Sequence, residues 1–247
     1  GDLPRRFFRD AVHRLHCHGI ALMADRQLAI VAGAGGALGP ALADKLVGAG
    51  YYAAGIARGK IDSRFDESHS TDLTDVLAVG KVYDDLVSRH GPPSVLIYNA
   101  HKFLIETIED TSVAEFEAVW RTDVLGAFVA IKHLLPSMLG QGGTILFSGA
   151  TASVRGSAKF AAFASAKFAL RGLSQSLARE YGARGIHVAH VIIDGLVDGG
   201  HAQKLFEKPS EDCLAPEAVA EEYLRIISQT RNAWSHEIDL RPHTGKF

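Results

Sequence analysis

Lys167 follows Phe163 by four residues in Phe163-Ala164-Ser165-Ala166-Lys167, so an ammonium and an aromatic ring project from the same face of one helical turn. Elsewhere in the chain are side chains able to move a proton. His101, in Tyr98-Asn99-Ala100-His101, carries an imidazole that titrates near neutrality; the alternative is a surface-loop histidine, one of twelve in the chain. Asp194, in Ile193-Asp194-Gly195, is either a carboxylate available for proton transfer or an ordinary Asp-Gly turn former. Asp123, in Asp123-Val124-Leu125-Gly126, is a further carboxylate. Ser148, Thr151 and Ser153 bring hydroxyls, or only the turn chemistry expected after a strand.

The elements that would position these groups alternate along the chain. Short apolar runs at Leu28–Ala32, Tyr52–Ala57, Val95–Tyr98, Thr144–Phe147, His187–Ile193 and Glu237–Leu240 read as strands. Helical spacing covers Leu38–Gly48, Asp75–Arg89, Val113–Leu139, Lys159–Tyr181 and Pro216–Gln229. Strand–helix alternation at this spacing implies a parallel sheet with right-handed crossovers and helices on both faces. With no internal repeat or Pro/Ser-rich linker, residues 23–247 read as one domain.

Between the first strand and first helix lies Ala32-Gly33-Ala34-Gly35-Gly36-Ala37-Leu38-Gly39. Glycines there permit a tight turn and let the backbone approach a pyrophosphate, whose charge is favoured at a helix N-terminus. The second strand ends in Gly55-Ile56-Ala57-Arg58, with a guanidinium and no carboxylate. An acidic residue there would bond a ribose 2′-hydroxyl, whereas an arginine accepts a 2′-phosphate. Arg58 thus favours NADP(H) over NAD(H), the alternative being a solvated strand end.

Composition limits the remaining options. The chain has 247 residues, a net charge of −2 and 22% charged residues, which excludes the basic excess of a nucleic-acid or membrane-surface binder. No apolar run reaches the ~18 residues of a membrane span. Two cysteines, Cys17 and Cys213, form no disulfide framework and no metal-ligand motif, so a reducing cytoplasm is the expected location. Residues 1–22 cluster Arg5, Arg6, Arg9 and Arg14 ahead of Met23, and read as an upstream extension or one added by cloning.

From about Arg26 to Phe247 the chain resembles the short-chain dehydrogenase/reductase family. Its glycine turn is similar to the family's Thr-Gly-xxx-Gly-x-Gly motif, Asp72 in Ser70-Thr71-Asp72-Leu73-Thr74 to the aspartate that contacts adenine, and Asn99-Ala100 to part of Asn-Asn-Ala-Gly. The resemblance implies a Rossmann-type doubly wound α/β fold of about seven strands. It also implies nucleotide contacts from Gly33, Gly35, Gly36, Leu38 and Gly39, from Arg58, Asp72 and Leu73, and from Asn99, Ala100 and Lys167. The family's tyrosine protonates a carbonyl oxygen, a lysine four residues on holds the ribose, a serine fixes the substrate and an asparagine anchors a water. Carried over, the lysine is Lys167, but the other three positions are Phe163, Ala150 and Asp123.

Losing a general acid removes roughly 10²–10⁴ in rate, while orienting two bound reactants supplies roughly 7–11 kcal/mol, so hydride transfer remains open. His101, Asp194 or water would then handle the proton, and Asp123 would face Lys167 as an ion pair or a relay. The expectation is an oxidoreductase acting on an unknown carbonyl, alcohol or activated alkene; the competing one is an inactive nucleotide-binding sensor or assembly subunit. Helices Val113–Leu139 and Lys159–Tyr181 are those on which the family pairs subunits, implying a homodimer or homotetramer. Gly199–Leu214 corresponds to the family's mobile substrate lid, or to a disordered polar loop.

Overall fold

The computed structural model describes residues 26–245, so the expectation for residues 1–22 lies outside the described residues. Seven strands, β1 (Leu28–Ala32), β2 (Tyr52–Ala57), β3 (Glu67–Ser70), β4 (Val95–Tyr98), β5 (Gly143–Ser148), β6 (Ile186–Ile193) and β7 (Glu237–Leu240), form one sheet in the order β3-β2-β1-β4-β5-β6-β7. Every pairing is parallel. The strand order reverses between β1 and β4, and the chain ends leaving those two strands open a crevice there, where ligands bind in such sheets.

Both faces of the sheet are covered, which is why the central strands are apolar throughout rather than alternating. Leu28, Ile30 and Ala32 of β1 pack with helices α2 (Val76–His90), α4 (Gly126–Met138) and α5 (Ala161–Tyr181). Ala29 and Val31 point the other way, onto α1 (Leu38–Gly48) and α7 (Pro216–Ile227). Two further helices are α3 (Val113–Trp120) and the one-turn α6 (His201–Leu205). No helix among the described residues is long and apolar enough to cross a membrane.

Three features depart from the sequence expectation. The edge strand β3 reads Glu-Ser-His-Ser, without an apolar run, because one side faces solvent. Polar contacts hold it instead: Glu67 takes Arg89, Tyr52 and His69, and the Arg89 guanidinium, followed by those two hydrogen bonds, outweighs burial and pulls its carboxyl down to about 2.

The helix expected over Val113–Leu139 is interrupted by a π-turn at Arg121–Leu125. The buried Tyr98 hydroxyl donates to the Thr122 carbonyl at 2.5 Å and sits where a Cβ on Gly126 would stand. A side chain inserted into the helical ladder in this way is a known cause of such a bulge. Finally, α5 begins at Ala161 rather than Lys159, because Lys159 lies in the left-handed region at φ 68° and cannot continue a right-handed helix.

Candidate active site

At the crevice, the glycine turn leaves β1 with Gly33 at φ 94°, and a Cβ there would stand 2.6 Å from the Ala100 Cα. The close approach is locked by the Asn99 side-chain amide, which donates to the Gly33 carbonyl at 2.9 Å. A Cβ at Gly39 would overlap the Ala34 carbonyl, so the third glycine serves helix–turn packing. Helix α1 starts after Ala37 with no side-chain cap and no acidic residue in its first turn. Its first amides therefore keep their donors and the positive end of the helix dipole for an anion. Gly35, Gly36, Ala37 and Leu38 open onto a cleft of about 430 Å³.

A second hollow of about 340 Å³ continues this cleft past Gly33, Arg58, Asp72, Leu73, Asn99 and Ala100. Arg58 is largely exposed and its guanidinium stands 3.9 Å from the Asp72 carboxylate. Asp72 also accepts the Thr74 N–H and hydroxyl, both at 2.8 Å. Partial burial raises its pKa, but those bonds and the Arg58 and Arg121 charges more than offset it, leaving the carboxyl below its ordinary value. The two hollows share Gly35, Gly36, Arg58, Asn99 and His101, forming one trough along the C-terminal ends of β1, β2 and β4. The cradle that Cβ atoms would fill and the uncapped helix end both fit a dinucleotide.

At the other end, the Lys167 ammonium is buried, 3.1 Å from Asp123 Oδ2, and donates to the Ser148 carbonyl at 3.0 Å. The π-turn carries Asp123 inward, where it is fully buried and its Oδ1 accepts the Lys102 N–H at 2.8 Å. Lys167 has three donors, and these two contacts leave one for the cleft it lines. The Phe163 ring lies under the ammonium, 5.5 Å from nitrogen to centroid. Phe103 meets Phe163 edge to face at 5.2 Å and 79°.

His101 is accessible from both hollows and stands edge-on to Phe163 at 6.3 Å. Its side chain is exposed to the cleft, and the protein packed around the ring together with the Lys167 charge holds its pKa below the ordinary imidazole value. Ser148 donates to Asn99 Oδ1 at 2.8 Å and bonds the Tyr223 hydroxyl at 2.7 Å. Burial drives the Tyr223 pKa well above the phenol range, which makes it unsuited to giving up a proton.

Asp194 is placed differently. It pairs with Arg241 at 3.1 Å and accepts the Thr151 hydroxyl, and it does not line the cleft, whose wall here is Ile193, Gly195 and Leu196. The carboxylate is committed to a structural pair because β7 delivers Arg241 beside it, and the Thr151 hydroxyl is used there too. Ser153 is buried and caps its own turn by accepting the Ala150 N–H. The expected lid folds partly: Val197 bridges Leu214, α6 follows, and Val197, Gly200 and His201 line the cleft. Residue reading alone did not single out Lys102, Phe103, Leu196 or Val197, which also face the cleft. An aromatic two positions after His101 was the one signal available for this wall.

Comparison with known proteins adds an independent line. The sequence profile described as short chain dehydrogenase matches residues 27–210. A short-chain dehydrogenase/reductase of Armillaria gallica is 30% identical over 119 residues, covering 47% of this chain and 46% of that protein. This chain spans about half the length of several curated relatives it matches. The crystal structure of a short-chain dehydrogenase from Rhodopseudomonas palustris is 32% identical with a TM-score of 0.71, over 87% of this chain and 99% of that one. An alcohol dehydrogenase from Thermococcus sibiricus, solved with 5-hydroxy-NADP, shares the fold with a TM-score of 0.79 at 21% identity, over 90% of this chain and 99% of that one.

Proposed function

The chain belongs to the short-chain dehydrogenase family, and from that premise we propose that it is an NADP(H)-dependent oxidoreductase with an atypical site. Its substrate is a carbonyl, an alcohol or an activated alkene. The observation that carries this reading is the single trough that joins the glycine turn, Arg58 and Asn99 to Lys167. Preference for the phosphorylated nucleotide rests on Arg58 and the absence of a carboxylate at the end of β2; the nucleotide bound by the Thermococcus relative is in keeping with it.

In this reading the nucleotide, when bound, supplies the hydride. Lys167 gives its remaining donor to the ribose, held in place by Asp123 and the Ser148 carbonyl. Phe163, Ala150 and Asp123 stand at the family's tyrosine, serine and asparagine positions, so the proton must come from elsewhere. His101, at the junction of the two hollows, takes that part. Because its pKa is depressed, less of it is protonated at pH 7 than of an ordinary imidazole, and the protonated share grows as pH falls. Reduction therefore accelerates by up to about tenfold per pH unit on going down from pH 8 and levels off below the ordinary histidine pKa of about 6.5. His101→Asn flattens the profile. A pH-independent rate that His101→Asn leaves unchanged would remove His101 and leave water as the donor.

One observation favours a second reading, a nucleotide-binding sensor or assembly subunit: the Lys167–Asp123 pair is closed and buried, as in a site converted to structure. Failure to oxidise NADPH with any ketone, aldehyde or enone would select it.

Assembly as a homodimer or homotetramer belongs to the same proposal. Phe116, Trp120 and Phe128 on α3 and α4 and Phe168 on α5 are 39–49% exposed, an apolar display that a partner would cover. Sedimentation at micromolar concentration gives a dimer or tetramer; a monomeric mass would contradict it.

A further inference from the structure

We propose that the substrate end of the cleft is built for a planar, conjugated carbonyl compound that carries a carboxylate. The inference rests on the NADP(H) reading above and names the substrate class of the same site.

Charge is the first argument. Arg58, Lys102 and Lys167 line the cleft, and among the described residues no aspartate or glutamate does. The Lys167 charge is matched by Asp123, and Arg58 stands at the far end, beside Asp72. Lys102 is left. Its backbone N–H is used by Asp123, but its ammonium forms no ion pair among the described residues. The carboxylate that feels its charge is Glu115, which is exposed and already held by Ser112 at the start of α3. A substrate anion is the partner this charge lacks, and an ammonium-bearing substrate would be repelled.

Shape is the second. Phe103 and Phe163 stand nearly perpendicular, and Phe160 backs Phe103 at 6.0 Å. A flat π-system stacked on one ring meets the other edge-on, the two arrangements aromatic groups favour. Leu196 and Val197 add further apolar surface to the cleft lining.

Hydrogen-bonding capacity is the third. One Asn99 amide N–H is given to the Gly33 carbonyl, the Asn99 Oδ1 accepts the Ser148 hydroxyl, and that hydroxyl also bonds Tyr223. A polyol entering this wall would leave several hydroxyls unpaired, at about 1–3 kcal/mol each. A conjugated acid demands polar partners only at its two ends.

The test is calorimetric titration of the NADPH-loaded protein with trans-cinnamate and with its neutral isostere, cinnamamide. Cinnamate binds about tenfold more tightly, the equivalent of one charge-assisted contact. Lys102→Gln erases that preference and Lys102→Arg keeps it, with thermal melts confirming that both variants are folded. Phe103→Leu weakens both probes about threefold to tenfold. Equal affinity for acid and amide, no cinnamate binding, or a preference that survives Lys102→Gln would overturn the inference. Titrating NADPH into the same preparation separates the two claims. Without nucleotide binding the underlying reading falls, whereas nucleotide binding without an acid preference removes the substrate class alone.

Discussion

Lys167→Met lowers the unfolding free energy by about 3–5 kcal/mol and abolishes turnover. The ammonium it removes is the counter-charge of Asp123, a carboxylate with no exposure whose other contact is one backbone N–H. Without it a charge stays buried and unpaired, a far larger penalty than the pair's own net worth. Asp123→Asn in the same chain restores most of the stability, because the amide oxygen still accepts the Lys102 N–H and no charge remains. It does not restore turnover, since the donor that the proposed function assigns to the ribose is gone. Urea unfolding of the two variants measures the first effect and NADPH oxidation the second. A Lys167→Met protein as stable as the parent would show that the pair is not formed in solution.

Gly33→Ala is the second large effect, about 2–4 kcal/mol of stability together with a loss of nucleotide affinity. The residue sits at φ 94°, where an L side chain is strained, and its Cβ would be forced into the Asn99–Ala100 backbone. Neither backbone can retreat: Ala100 N–H is bonded to Ala32 O in the β1–β4 crevice, and Asn99 is tied to Gly33 itself. Gly36→Ala provides the contrast. That glycine also has positive φ, at 70°, but nothing among the described residues lies within 4 Å of where a Cβ would stand, so the substitution bears only the backbone strain of about 1 kcal/mol. Equal urea midpoints for the two variants would mean that close approach to β4 does not matter.

Much of this arrangement was legible because it depends on local pattern. Buried parallel strands announce themselves as compact apolar runs, and the glycine turn after β1 and Arg58 after β2 lie at positions fixed by the strands before them. What could not be read depends on partners far away in the chain. The strand β3 has no apolar run and exists through Glu67's contacts with Tyr52 and Arg89. The π-turn that delivers Asp123 comes from Tyr98, which stands 24 residues before the Thr122 it bonds and enters the helix at Gly126. Asp194 looked available until β7 brought Arg241 beside it. Phe103 and Lys102 sit in a loop without periodicity, and only their approach to Phe163 and to the cleft distinguishes them from ordinary loop residues.

Titration of the purified protein with NADPH and, separately, NADH tests the central claim most directly. NADPH binds at least about tenfold more tightly, the worth of one charge-assisted phosphate contact, and Arg58→Ala brings the two nucleotides level. Binding of neither nucleotide would contradict the account, leaving a dehydrogenase fold without its cofactor.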